Sequence, residues 1–412
     1  LKTIHTKVCI LGAGPAGSTT ALFLASKGIP SVLLEKETFP RDKICGDALS
    51  GKVISILKKL DPNIVDDFVQ QPIQLGSWGV KFIAPNLKEL KVPFKKDFDK
   101  SGRAPGFIAK RIDFDNFLAE RVRKRNEINF IENCEADKIE RIENGFSVAS
   151  KNKSLTVTSN LLIACNGAHS AFARNFGNIK VEHKRYSAGL RAYYKGVEGL
   201  DENNFIELHF IKEALPGYFW IFPLPNGMAN VGLGMRSDKV SAKKVNLKKL
   251  LAEIINYPQF KDRFKNATLD GEVKGFGLPL GSKERILSGD NYLLTGDAAS
   301  LIDPFTGEGI GNAVVSGMCA AELAAKAISA ENYSANFLSE YDKMVYKRLG
   351  KELKISTQIN QLVNYPWLFN AVVNKATNNK QLSELFSCMF ADIDMRKKLR
   401  EPSFYLRLIF GG

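Results

Sequence analysis

The sequence predicts an α/β protein in which a parallel, doubly wound sheet is interleaved with a second, antiparallel strand-rich unit and followed by helices. Three observations carry the prediction. Near the amino end an apolar strand runs into Gly12-Ala-Gly14-Pro-Ala-Gly17 and then a helix. From about 127 to 236 short alternating strands dominate, with turn residues between them. From Tyr292 an apolar strand ends in Gly296-Asp297 and passes through Pro304 into Gly307-Glu-Gly309-Ile310, the glycine-rich start of a small-residue helix.

A chain of 412 residues is long enough for two or three domains, at roughly 150 residues each. No apolar run reaches the ~18 residues that span a bilayer, and Val8 to Leu11 leads into Gly12 rather than a cleavage site. The expectation is a cytoplasmic protein. The cysteines (Cys9, Cys45, Cys134, Cys165, Cys319, Cys388) are scattered, with no Cys-x-x-Cys pair and no metal-like cluster with histidine. Neither zinc nor an iron-sulfur cluster is suggested. A net charge of +14 suits nucleic acid, an anionic membrane or an acidic partner. No helix-turn-helix, finger or RNA-stacking signature accompanies it, which favours a membrane surface or acidic substrate over nucleic acid.

In order along the chain, residues 6 to 11 read as a buried strand, 15 to 27 as a helix, and Ser31 to Leu34 as a second strand ending at Glu35. This is a βαβ unit. Asp113 reads as the N-cap of a helix to about Lys124, and 127 to 150 as short strands broken at Asn144-Gly145. Strand signals then continue to about 236, with turns at Leu200-Asp201, Pro216-Gly217 and Asn226-Gly227. The helix 310 to 329 returns the chain to the first unit. The expected division is 1–75 with 100–172 and 280–330, a Rossmann-type nucleotide-binding domain; 76–99 with 173–279, a β-rich substrate domain; and 335–412, a helical carboxyl-terminal region.

In the first loop Gly12 allows a tight turn, Gly14 lets the backbone approach a pyrophosphate, and Gly17 lets helix and strand pack closely. Glu35 stands where a carboxylate accepts from ribose hydroxyls. A tight structural turn is the alternative for the glycines alone; strand, helix, second strand and terminal Glu35 together favour nucleotide binding. The Gly296-Asp297 segment brings a second carboxylate to a sheet edge, and Gly307 and Gly309 open a helix with unblocked amides, whose dipole favours negative charge. A capping Asp before a closely packed helix, with Ala313, Gly317, Ala320 and Ala321 on its contact face, would have the same appearance. Paired with the dinucleotide loop, the segment indicates bound FAD.

Together these segments resemble the FAD-dependent oxidoreductases of the para-hydroxybenzoate hydroxylase type, and more closely the geranylgeranyl reductase family. The resemblance spans nearly the whole chain. It is carried by Phe39-Pro-Arg41-Asp-Lys43-Ile-Cys45-Gly46-Asp47, by Arg111, by Gly217-Tyr218-Phe-Trp220-Ile-Phe222-Pro223, and by the Gly-Asp segment. Met389 to Phe410 also looks like that family's terminal helical element. The resemblance implies FAD contacts at Ala16, Glu35, Lys36, Cys45, Gly46, Ala48, Arg111, Asp297, Gly309 and Ile310, with Ala136 meeting the adenine through its backbone. One departure is Cys165-Asn166-Gly167-Ala-His169-Ser170, where related flavoproteins often carry Ala-Asp-Gly. Asn166 keeps hydrogen-bonding capacity but loses the charge.

On a strand, Tyr218, Trp220 and Phe222 share one face and Phe219 and Ile221 the other. Following the family, the first face is expected to wall an apolar tunnel for an isoprenoid chain, with Tyr218 holding substrate or a proton. Aromatic core beneath a sheet is the alternative for the same residues. The Cys45 thiol is a candidate proton donor, although free cysteine is also a common small core residue. Tyr218 and Trp220 join it as catalytic candidates. His169 reads as a capping or surface group. Lys397, Lys398, Arg400 and Arg407 flank Phe404, Tyr405, Leu406, Leu408, Ile409 and Phe410, which suits either the inner face of an anionic bilayer or a docked helix with a solvated basic face.

The expected activity is reduction of carbon-carbon double bonds in a polyprenyl or similar lipid by hydride from reduced flavin. A flavin monooxygenase acting on an aromatic or polyene substrate shares the fold, so fold does not decide between them. A non-catalytic flavin-containing lipid carrier is the third reading. Halogenases resemble Trp-x-Trp-x-Ile-Pro where this chain has Tyr218-Phe-Trp220-Ile-Phe222-Pro223, which counts against halogenation. With no second Gly-x-Gly-x-x-Gly loop, electrons are expected from transiently bound NAD(P)H or from a separate reduced ferredoxin or reductase.

Overall fold

The computed structural model describes residues 2–94 and 102–379. The basic-apolar segment around Lys397 to Phe410, and Cys388, lie outside the described residues.

Lys2–Leu11 runs between Leu155–Ala164 and Ser31–Leu34, parallel to both. Its last residues, Val8 to Leu11, are buried, as a central parallel strand with both faces covered requires. The parallel core reads Tyr292–Leu294, Leu155–Ala164, Lys2–Leu11, Ser31–Leu34, Ile128–Ile131 across the sheet. Leu11 aligns with both Leu34 and Ala164, and Ala164 with Leu294. Gly12, Glu35, Cys165 and Thr295 therefore leave the sheet together at its carboxyl edge, where open α/β sheets place ligands.

The helix Pro15–Ala25 ends two residues earlier than the periodicity suggests, whereas Ile310–Ser329 has the expected bounds. The two pack so closely that a Cβ at Gly317 would lie 2.6 Å from the Ala16 carbonyl oxygen. Thr20 Oγ1 donates across the same contact to Gly317 O at 3.2 Å. The helix Arg111–Arg123 begins ahead of the expected cap: Lys110 is the N-cap, and Asp113 sits in the first turn. An acidic residue there favours the helix dipole as it would at the cap, so the sequence signal was displaced rather than absent.

The second sheet has seven strands, in the order Thr268–Pro279, Tyr186–Lys195, Met228–Arg236, Tyr218–Leu224, Ile206–His209, Gly79–Ile83, Glu89–Pro93. Its pairings are antiparallel, as expected, with one exception: Ile206–His209 runs parallel to Gly79–Ile83. These two strands come from distant parts of the chain, so no hairpin dictates their direction. The β-rich stretch also holds short helices, Ser237–Ala242, Leu247–Ile254 and Lys261–Phe264, and the last two pack Leu250, Leu251, Ile254 and Phe264 against one face of the sheet. A small sheet of Ala48–Leu49, Gly106–Ala109 and Gln74–Ser77 bridges the two large ones.

The carboxyl-terminal helices pack on both halves. Glu340–Leu362 contacts Ile310–Ser329, and Pro366–Asn378 lies along Glu89–Pro93. Phe369 and Val373 enter the same apolar cluster as Phe82, Phe210 and Phe305. Among the described residues no helix is long and apolar enough to cross a membrane.

Candidate active site

The carboxyl edge of the parallel sheet and one face of the seven-stranded sheet enclose a cavity of about 860 Å³, a size that suits a cofactor or small ligand.

At one end lies the first glycine loop. Gly12 has φ +90°, and a Cβ there would meet the Cys165 carbonyl oxygen at 2.9 Å. A Cβ at Gly17 would meet the Gly12 carbonyl oxygen at 1.8 Å, so only glycine lets the helix start close on the turn. Gly14 differs, because its Cβ would meet only an Arg41 nitrogen at 3.7 Å. That side of the backbone is open to a ligand. The Glu35 carboxylate accepts from the Ala13 amide at 2.8 Å and lines the same end with Ala16, Lys36 and Ala136.

Behind this end is a buried ion cluster. Arg111 donates from Nε and Nη2 to the two carboxylate oxygens of Asp115, each at 2.7 Å, and Arg41 Nη1 reaches Asp115 at 2.6 Å. Arg41 also lies 3.7 Å from Glu35. Burial opposes ionisation of Asp115, but the two guanidinium groups outweigh it and hold the carboxyl below its ordinary range.

At the other end, Asp297 lines the cavity and pairs with Lys43 at 3.3 Å. Gly296 and Gly307 occupy left-handed backbone, φ +53° and +73°. The Gly307 amide donates to Asp303 O at 3.1 Å, which corrects the expectation that it is unblocked. The amides of Gly309 and Ile310 have no protein partner among the described residues. They point from the start of Ile310–Ser329, where the dipole favours an anion or a polarised carbonyl.

The Cys45 loop meets the aromatic strand between these ends. A Cβ at Gly46 would lie 3.0 Å from the Phe222 ring, so glycine lets the loop rest on that ring, and Ala48 opens the short strand beyond it. Tyr218, Trp220 and Phe222 line the cavity, whereas Phe219 and Ile221 enter a separate core on the far face. The hydroxyl of Tyr218 donates to Thr306 O, and burial raises its phenol pKa, so its proton is already committed. Cys45 is half-buried on the wall, and burial pushes its thiol up more than Arg111 and Lys43 pull it down.

Sequence reasoning missed the buried polar residues Asp47, Tyr193 and Asn230 that join these parts. Asp47 stood within a motif already singled out, and Asn230 is a lone amide in an apolar strand, so both carried a usable signal.

These features fit a flavin dinucleotide: an open glycine approach and carboxylate at one end, free helix amides and a second carboxylate at the other. The FAD-binding-domain family model matches residues 5–343. A digeranylgeranylglycerophospholipid reductase of Methanococcus vannielii is 30% identical over 362 residues, covering 86% of this chain and 87% of that protein. The chain belongs to the geranylgeranyl reductase family of FAD-dependent oxidoreductases.

A reductase of the same name from Thermoplasma acidophilum is 28% identical, with 84% of each chain covered. A crystal structure of a geranylgeranyl bacteriochlorophyll reductase-like protein of Thermoplasma acidophilum shares the fold, with a TM-score of 0.78, 24% identity and coverage of 97% of this chain and 99% of that one. In this geranylgeranyl reductase-family chain His169 is exposed, its ring edge-on to Phe276 at 5.1 Å, and the adjacent Ser170 caps a short helix. Among the described residues no group of acidic, histidine or cysteine side chains is arranged to hold a metal ion.

Proposed function

We propose that the protein reduces carbon-carbon double bonds in the geranylgeranyl-type chains of a lipid. The observation that carries this reading is the apolar face of Tyr218, Trp220 and Phe222 lining the same cavity as Cys45 and both glycine loops. The names of its relatives supply the substrate class.

In this reading Gly12, Gly14, Ala16 and Gly17 face the FAD pyrophosphate, Glu35 and Lys36 the ribose, Ala136 the adenine, and Asp297 the ribityl chain. Gly309 and Ile310 offer amides to the flavin ring, Gly296 and Gly307 shape the turns that present them, and Arg111 braces the Cys45–Gly46–Ala48 loop. Bound and reduced, FAD supplies the hydride. The chain itself must exclude water, hold the polyprenyl segment and provide one proton. Trp220 and Phe222 form the apolar wall, and Tyr218, fixed on Thr306 O, holds that wall against the Gly307 loop. The Cys45 thiol gives its proton to the substrate carbon and is reprotonated from solvent. Arg111 and Lys43 stabilise the thiolate in between.

Electrons arrive from transient NAD(P)H or from a reduced ferredoxin or reductase. Contact with the cytoplasmic face of a membrane is supported by Tyr365 and Trp367, 59% and 71% exposed at one helix start, and by the net charge of +14.

Anaerobic incubation with dithionite and geranylgeranyl lipids, followed by mass spectrometry, tests the assignment. Products heavier by successive pairs of hydrogens are expected. Product formed only with oxygen would make the enzyme a monooxygenase, and no product under either condition would leave a lipid carrier.

A further inference from the structure

Asn230 lies on the apolar strand Met228–Arg236 and has no exposed surface. Its Oδ1 accepts from the Trp220 indole Nε1 at 2.8 Å. Its Nδ2 donates both to the Cys45 carbonyl at 2.8 Å and to Asp47 Oδ2 at 2.7 Å. One amide thus spans the cavity wall from the Cys45 loop to the aromatic strand. Asp47 is equally buried. Its Oδ2 also accepts from the Tyr193 hydroxyl at 2.8 Å, and its Oδ1 from the Arg111 amide at 3.2 Å. The backbone of Asp47 is left-handed, φ 68°, and its carbonyl accepts from the Ala109 amide at 3.0 Å. A buried amide and carboxylate so fully engaged specify one arrangement, since breaking any bond leaves a polar group unpaired.

We propose that Asp47 and Asn230 are positioning residues that lock the Cys45 loop onto the Trp220 strand, setting the distance between the proton donor and the wall that holds the substrate. The turnover consequence rests on the function proposed above; the coupling itself does not. Asp47 also acts through charge. The charged or titratable groups facing Cys45 are Arg111 and Lys43, which favour its thiolate, and Asp47 and Tyr218, which do not. Asp47 in turn faces Arg111, Arg191 and Tyr193. Removing the Asp47 charge takes away a carboxylate that opposes the thiolate, while Arg111 and Lys43 stay where they are, and makes Cys45 the stronger acid.

Two measurements on the FAD-loaded enzyme test the pair. In the first, Asn230→Leu is reduced anaerobically and mixed with a geranylgeranyl lipid. Flavin reoxidation is expected to slow by about 100-fold, the scale of an ångström of misplacement at a reacting centre, with FAD occupancy retained and KM little changed. In the second, Asp47→Asn is treated with iodoacetamide across pH and the Cys45 peptide quantified by mass. Its alkylation profile is expected to move to lower pH than in the parent. Reoxidation within about twofold of the parent, or coincident alkylation profiles, would overturn the proposal. If Asn230→Leu fails to fold, the alkylation profile decides alone. If the parent itself ignores the lipid, the substrate assignment fails while the alkylation arm still tests the pair.

Discussion

Cys45 and Trp220 make separable demands on the site. Cys45 is sheltered enough to stay protonated and lies on the cavity wall, with Arg111 and Lys43 near to receive the negative charge it leaves. If it is the general acid, Cys45→Ala lowers the single-turnover rate by about 10²-fold or more, the ordinary worth of a positioned acid, without loss of FAD. Stopped-flow reoxidation checks this; an undiminished rate would assign the proton to water. Trp220 depends on the residue opposite it across the sheet, Gly232. A Cβ on Gly232 would lie 2.0 Å from the indole ring and 2.3 Å from the Leu190 carbonyl oxygen. Gly232→Ala is therefore expected to expel the indole from its seat and break its bond to Asn230, at a cost of roughly 1–3 kcal/mol for the polar group left unpaired. The result would be weaker lipid turnover, with a red-shifted tryptophan emission reporting the displaced ring. Unchanged emission would show that the strand absorbs the methyl by moving instead.

At the scale of elements, what was legible in the sequence was local. The glycine spacing at 12, 14 and 17, the strand ending at Glu35 and the period-two split of Tyr218, Trp220 and Phe222 from Phe219 and Ile221 each depend on near neighbours. Pairings between remote segments were not legible. Asn230 and Asp47 are 183 positions apart, and the parallel join of Gly79–Ile83 to Ile206–His209 has no turn to announce it. The small residues of Ile310–Ser329 were readable as a close-packing face or as a ligand-facing helix start, and both descriptions apply to different parts of it. Its first turn carries the free amides, and Gly317, two turns on, receives the Ala16 carbonyl. Gly317→Val would drive this helix away from Pro15–Ala25 and widen the gap between the two glycine loops that it and its neighbour present. The expectation is overpacking of about 1–3 kcal/mol and FAD binding weakened along with it, seen together in a thermal melt and a flavin-binding titration. A variant that melts lower yet binds FAD as tightly would show that helix spacing does not set the site.

The whole molecule separates the titration that affects the site from the one that affects the fold. Asp47, pushed up to about 6 by burial despite its bonds to Tyr193 and Asn230, belongs to the cavity. Glu207, paired with Ile221, points to the face of the seven-stranded sheet away from the cavity, where Arg263 holds it at 2.7 and 3.1 Å and His209 Nε2 lies 2.9 Å away. Burial would raise the Glu207 carboxyl, but the bonds from His209 and Arg263 prevail and take it down to about 2. Because the folded carboxyl is depressed, the folded state binds fewer protons than the unfolded chain. Its stabilisation is complete above the ordinary carboxyl range near 4.5 and is lost as pH falls toward 2, by about 3 kcal/mol in all. Burial likewise lowers the His209 imidazole, so acid must charge a group that the fold keeps neutral, and this loss has the same sign. The melting temperature is therefore expected to fall steeply between about pH 4.5 and 2. In Glu207→Gln that limb flattens, while the variant is less stable at neutral pH because Arg263 has lost its buried counter-charge. The pH profile of Cys45 alkylation should be the same in Glu207→Gln as in the parent, since Glu207 lies across the sheet from the cavity. A melting curve in Glu207→Gln with the parent's acid limb would place the acid sensitivity elsewhere, among the surface ion pairs rather than at this buried one.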